Sequence, residues 1–177
     1  IPSQFAQLLP GPNIPANNRL TDAGVLLGRK LFYDPILSGD NTQSCAGCHN
    51  QANGFTDHGL QFSTGIDLLQ GDRNAMPLFN MVWNYEDTYF WDGRATGIES
   101  QAYDPVTNAI EMHENWPNAI AKLQGDSEYP SLFNTAFGTE TIDSTLVTMA
   151  IAQFERILIS GNSRFDQYIR GEISLTP

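Results

Sequence analysis

Apolar residues recur at helical spacing along much of this 177-residue chain, and no segment alternates apolar with polar as a half-buried strand would. The first clear stretch gives Val25, Leu26, Leu27, Leu31 and Phe32 a common apolar face, with Thr21 placed to cap it and Asp34-Pro35 to stop it. The clearest stretch runs from Thr141 or Asp143 to Ile159. Leu146, Val147, Met149, Ala150, Phe154, Ile157 and Leu158 keep the helical period there, and Ser160-Gly161-Asn162 ends it. Shorter helices are predicted near 98–104, from Asn115-Trp116-Pro117 with proline in the first turn, and from a Ser127 cap through Phe133. A further turn around Arg164–Ile169 ends at Gly171.

Between these segments the pattern breaks. Residues 1–19 carry Pro10-Gly11-Pro12 and Pro15 among asparagine and glutamine, which predicts an extended arm. Residues 50–90 scatter Gly, Asp and Asn with no sustained period, a long loop of the kind that usually carries function. Residues 172–177 look like the opening of a linker. The expected class is therefore all-α with long loops, with one domain over residues 20–171.

Charge narrows the partners. Twenty acidic side chains against nine basic ones give a formal charge of −11, and no cluster of Lys or Arg follows a phosphate backbone. Nucleic acid and anionic membrane surfaces are therefore poor partners. No apolar run reaches the roughly eighteen residues a membrane helix needs, so no membrane insertion is expected. The surplus of carboxylates keeps a soluble surface from self-associating, and any partner it steers would be a basic electron carrier. The start, Ile1-Pro2-Ser3-Gln4, reads as a processed chain whose leader was removed.

Cys45-Ala46-Gly47-Cys48-His49 carries the chemistry. Two thiols and a following imidazole at this spacing form the attachment signature of a c-type haem: Cys45 and Cys48 add to the porphyrin vinyl groups, and His49 binds the iron. A redox disulfide would want a βαβ context, which the pattern lacks. A structural zinc site would want four ligands, whereas the only other histidines are His58 and His113. The expectation is one covalent haem c, with the helix after Thr21 packed on its edge, in a periplasmic or otherwise exported protein. His58, His113 and the four methionines Met76, Met81, Met112 and Met149 are the side chains that could occupy the sixth iron position; the methionines read first as core filler.

The blocks Leu27-Gly28-Arg29-Lys30-Leu31-Phe32-Tyr33-Asp34-Pro35, Gly71-Asp72-Arg73-Asn74-Ala75 and Phe90-Trp91-Asp92-Gly93-Arg94 flank the motif. With Phe154-Glu155-Arg156 and Asn162-Ser163-Arg164-Phe165-Asp166 near the end, they resemble the amino-terminal domain of bacterial dihaem cytochrome c peroxidases over nearly the whole chain. The resemblance implies a cytochrome c-like helical haem domain where hydrogen peroxide is reduced to water. Electrons would come from a second haem domain or subunit, fed by a small cytochrome or cupredoxin. It places Gln101 and Glu111 in the distal pocket, Arg73 among the cofactor-binding residues, Trp91 on an electron path between haems and Asn74 at a weak interdomain calcium site. The histidine that closes this haem in many relatives falls at Ile66, which cannot ligate iron. Pro105, four residues past Gln101, matches open-haem relatives that mature the tryptophan cofactor of methylamine dehydrogenase. The alternative is a monohaem electron-transfer cytochrome, or an electron-relay subunit of a larger complex, with a side chain in the sixth position.

Overall fold

A computed structural model of the chain describes residues 10–57 and 59–175. It is helical, as the period predicts. The elements are α1 (Asp22–Tyr33), α2 (Cys45–Cys48), a two-stranded ribbon of β1 (Thr88–Tyr89) and β2 (Ala95–Thr96), α3 (Ile98–Thr107), α4 (Trp116–Gly125), α5 (Tyr129–Phe137), α6 (Ser144–Arg156) and α7 (Arg164–Ile169). Single 3-10 turns over Pro35–Leu37, Gln51–Asn53 and Met81–Trp83 punctuate the loops. The ribbon pairs Thr88 with Thr96 and Tyr89 with Ala95, too short for alternation to reveal it in the sequence.

The helix ends follow local chemistry. Thr21 Oγ1 accepts the Gly24 N–H at 3.0 Å to start α1, and the Asp143 carboxylate accepts the Leu146 N–H at 2.8 Å to start α6. The capping residue for α5 is not Ser127: the Asp126 carboxylate, one residue earlier, takes the Glu128 and Tyr129 N–H groups at 2.8 and 3.2 Å. An ionised acceptor outcompetes a hydroxyl for these donors. α3 continues past 104 with Pro105 inside it, because the Asn108 N–H still reaches Asp104 O at 3.0 Å and closes the last turn.

α1 and α6 cross in direct backbone contact. A methyl group on Gly28 would lie 1.8 Å from the Ala150 carbonyl oxygen, and one on Gly24 would lie 2.2 Å from the Gln153 side-chain oxygen. Leu27 and Leu31 fill the same stripe, whereas Leu26, expected on it, is 66 % exposed because it falls off the i, i+4 row that Gly24 and Gly28 define. α3 packs on the other side of α6, and α4 and α5 close the core around Leu123, Phe133 and Val147. A smaller aromatic cluster of Phe32, Leu78 and Phe154 lies against Cys45 and Phe55.

Beside the crossing lies a buried polar network. Asn18, on the arm, donates to Met149 O at 3.0 Å and to the Glu99 carboxylate, and its own Oδ1 accepts from Gln153 at 2.9 Å. Arg156, at the end of α6, grips Glu99 on α3 with two hydrogen bonds of 2.8 and 2.7 Å. Burial opposes ionisation of Glu99, but Arg156 and Asn18 more than offset this and hold its carboxyl below the usual range. The rest of the described arm has no helix or strand and runs across the Met81–Trp83 turn, with Asn13 N–H on Val82 O at 2.7 Å. Residues 1–9 of the arm and 176–177 of the expected linker lie outside the described residues. Among the described residues no helix is long and apolar enough to cross a membrane.

Two stability outcomes follow. Gly28→Ala drives a methyl group into backbone and should lower stability by about 1–3 kcal/mol or more, measured as a fall in the denaturant midpoint. Glu99→Ala leaves Arg156 buried without a counter-ion and should cost about 3 kcal/mol. Because the folded-state pKa of Glu99 is lowered, its contribution is present above its unfolded pKa and is lost as pH falls through the folded value. The gap between wild type and variant should therefore shrink in acid.

Candidate haem slot

The attachment motif forms the single turn α2, closed by the His49 N–H on Cys45 O at 2.9 Å. The chain then doubles back through Gly54, and Phe55 adopts a left-handed conformation with φ of 58°. That conformation costs a non-glycine residue about 1–3 kcal/mol. It aims the Phe55 carbonyl at His49, whose Nδ1–H donates to it at 3.0 Å. The bond puts the ring hydrogen on Nδ1, so that Nε2 is the nitrogen with a lone pair to offer a metal. Burial pulls the His49 pKa down despite this bond, so the ring stays neutral, the form that binds a metal.

Both thiols sit at the edge of the slot. Desolvation raises the Cys48 pKa and pushes Cys45 up to about 12. Gln43 Nε2 approaches Cys48 Sγ at 3.3 Å. No disulfide joins the two cysteines.

α3 and the loop after it supply the opposite wall. Gln101 is 7 % exposed, and its Oε1 is buried with no hydrogen-bond partner. Pro105 stands one turn on. Glu111 is half-buried, and desolvation raises its pKa, opposed by Asn108 Nδ2, which donates to Glu111 Oε1 at 2.6 Å, and by the positive field of Arg94. Between the walls lies a cavity of about 360 Å³, open at one side, with a further lobe of about 50 Å³ toward Cys45, Leu78, Ile151 and Glu155. Gln43, Cys48, His49, Gln101, Pro105 and Glu111 border both parts, so they form one continuous slot.

These residues fit a haem c. Two free thiols, a neutral imidazole with its ring hydrogen on Nδ1 and an orphaned, buried amide oxygen all border the same slot. At the open rim Arg73 and Arg94 each approach the shared Asp92 at 3.1 Å, and Arg94 stacks 3.6 Å from the Phe90 ring centroid.

The other expected residues fall in different places. Trp91 is on the rim, 62 % exposed rather than buried as a core aromatic, with its indole N–H on Asn74 O at 2.9 Å. Asn74 donates its amide N–H to Leu60 O at 2.7 Å. Among the described residues no group of three or more His, Cys, Asp or Glu side chains gathers to hold a metal ion. Ile66 is not among the residues bordering the slot: its N–H bonds Glu111 O at 3.0 Å and its side chain lies by Gly39, so Gly65 and Thr64 line the cavity instead. His113 pairs with Asp67 on the surface. Met112 is buried in the main core, Met81 packs on the aromatic cluster, and Met76 borders the slot. His58 lies outside the described residues.

Three contributors escape the sequence. Phe55 acts through its carbonyl, which no side-chain pattern reveals. Asn108 could have been found as an amide opening the turn that leads to Glu111, since its Oδ1 also caps the Ile110 N–H at 3.0 Å. Glu155 lies within a block that resembled the family, yet only the fold turns it toward the slot.

Comparison with known proteins matches this arrangement. The sequence profile described as di-haem cytochrome c peroxidase matches residues 22–174. The methylamine utilization protein MauG of Methylorubrum extorquens is 38 % identical over 161 residues, covering 90 % of this chain and 45 % of that protein. The cytochrome c peroxidase Ccp of Escherichia coli is 42 % identical over 154 residues, covering 86 % and 32 %. The crystal structure of a MauG-like protein associated with microbial copper homeostasis superposes with a TM-score of 0.87 at 34 % identity, over 95 % of this chain and 49 % of that one. The chain thus spans half or less of the length of these relatives. With its profile match, its curated relatives and its helical slot in agreement, the chain belongs to the di-haem cytochrome c peroxidase family.

Proposed function

We propose that this chain is a peroxidatic c-type haem domain that reduces hydrogen peroxide to water, taking electrons from a second haem domain or subunit. The observation that carries the reading is that His49, Cys48, Gln101 and Glu111 border one continuous slot whose smaller lobe Cys45 also lines. Cys45 and Cys48 would hold the haem covalently, His49 Nε2 would ligate its iron, and Arg73 and Arg94 at the rim would meet its propionates. The bound haem supplies a redox-active Lewis acid that accepts peroxide and passes electrons to it.

The protein's own part is proton management. Reduction of one peroxide to two waters consumes two electrons and two protons, and the first proton must leave one peroxide oxygen for the other. Glu111 suits that transfer, because desolvation has moved its pKa toward the working range. Since Oε1 accepts from the Asn108 amide, the proton taken from the near oxygen and returned to the far one resides on Oε2. The orphaned Gln101 Oε1 can accept an O–H from the substrate and hold it for transfer. Pro105, lacking an N–H, adds no donor to that wall.

Electrons would arrive past Trp91 at the rim, from a second haem domain or subunit itself supplied by a small cytochrome or cupredoxin. Asn74 would contribute to calcium only together with ligands of that domain. With its haem covalently attached, the protein would work in the periplasm or another exported setting. Against the electron-carrier alternative, His113 and Met112, two of the candidate sixth ligands, are committed elsewhere, to Asp67 and to the core.

Two measurements test the reading. Glu111→Gln should slow the reaction with peroxide by about 10²–10⁴-fold in stopped-flow, with haem content unchanged; an unaltered rate overturns the role of Glu111. Asn108→Ala removes a hydrogen bond that favours the Glu111 carboxylate, so the Glu111 pKa rises. The acid limb of the rate profile, which needs the carboxylate as base, should move to higher pH.

A further inference from the structure

Glu155 is a buried carboxyl for which the peroxide reaction has no use. It occupies the last turn of α6, is 3 % exposed, and borders the small lobe of the slot that also touches Cys45, Cys48 and Ile151. Its Oε2 is buried without a hydrogen-bond partner. The neighbouring cation does not bond it: both terminal nitrogens of Arg156 are engaged by Glu99. A carboxylate held this way is poorly stabilised, whereas a carboxylic acid is cheap to bury.

We infer that Glu155 is a proton-binding site coupled to the oxidation state of the haem. When a one-electron donor reduces the haem, a proton from solvent adds to the Glu155 carboxylate, and oxidation releases both. The inference rests on haem occupying the slot and is independent of Glu111 acting on peroxide.

The charge balance gives the sign. A ferric haem carries one more positive charge than a ferrous one, so the oxidised state favours the Glu155 carboxylate and the reduced state favours the acid. The titratable groups around Glu155 come from several elements, and Cys48, His49 and Glu111 border the same small lobe. Arg156, on its own helix, pulls its pKa down and Glu99 of α3 pushes it up, while burial, the largest influence, brings it to about 8. Tyr89 of β1 and Cys45 of α2 each feel its charge, and both are themselves raised and neutral near pH 7. Attachment to the porphyrin removes the Cys45 thiol from the titration. α1 presents Gly24, Gly28 and Phe32 to α6, and its last residue, Tyr33, meets Phe154 edge-on with ring centroids 6.2 Å apart. Two protonation states of one carboxyl, near neutral pH and against the edge of the slot, are thus available for the electron to select.

The test is a spectroelectrochemical titration of the haem-loaded chain over roughly two pH units either side of 8. The reduction equilibrium constant should fall with rising pH, by up to tenfold per unit or about 59 mV in midpoint potential. Glu155→Gln should flatten the part of this dependence centred near pH 8. A pH-independent wild type, or a Glu155→Gln protein with the wild-type slope, overturns the inference. If Glu155→Gln fails to fold, infrared difference spectra of the wild type decide: reduction should add the carbonyl stretch of a protonated carboxyl, and its absence overturns the inference. Failure of the peroxidatic reading shows separately, as a Glu111→Gln protein that reacts with peroxide at the wild-type rate.

Discussion

The contact on which the rest of this structure depends is the crossing of α1 and α6, where Gly28 lets the backbone of one helix rest on the Ala150 carbonyl of the other. No side chain intervenes, so the separation of the two helices is set by covalent geometry rather than by compressible packing. α6 then becomes a fixed rail. On one side its terminal Arg156 takes hold of Glu99 and sets where α3 begins; on another, Ile151 and Glu155 border the slot. Gln101 and Pro105 inherit their positions from α3, so the distal wall is placed by an interaction that touches neither wall nor substrate.

Within that frame one physical effect, desolvation, yields three chemical outcomes because the hydrogen-bond partners differ. His49 keeps its neutral form, and the strained Phe55 carbonyl chooses which nitrogen faces the slot. Glu111 is raised, but the Asn108 amide and Arg94 restrain the rise. Glu155 has only the opposing fields of Arg156 and Glu99 and goes furthest. The slot sorts its ionisable groups by depth and by the company each keeps: Glu155 is buried more fully than the half-buried Glu111 and accepts no hydrogen bond comparable to that from Asn108.

The helices were legible in the sequence because long amphipathic segments repeat their period several times and carry their own caps: Thr21 and Asn115 sit where the pattern put them, and Asp143 is the second of the two starts it allowed for α6. The attachment motif was legible because its spacing is chemical rather than conformational. Leu26 was misplaced because a hydrophobic count does not see that glycines, not leucines, define the buried stripe of α1. The distal wall was reachable only by resemblance, since a glutamine on a helix and a glutamate in a loop announce nothing alone. Phe55, Asn108 and Glu155 depend on where a carbonyl, an amide and a helix end point after folding, which is tertiary information.

Trp91 holds its place by donating its only N–H to the Asn74 carbonyl, leaving the indole 62 % exposed with nothing further to donate. Whatever meets this ring must do so across its faces and edges, by stacking or by apolar contact. Such an encounter would have little directional demand and little sensitivity to ionic strength. The exposed ring is thus an uncharged plate set beside Arg73, Arg94 and Asp92, in a chain whose net charge is −11.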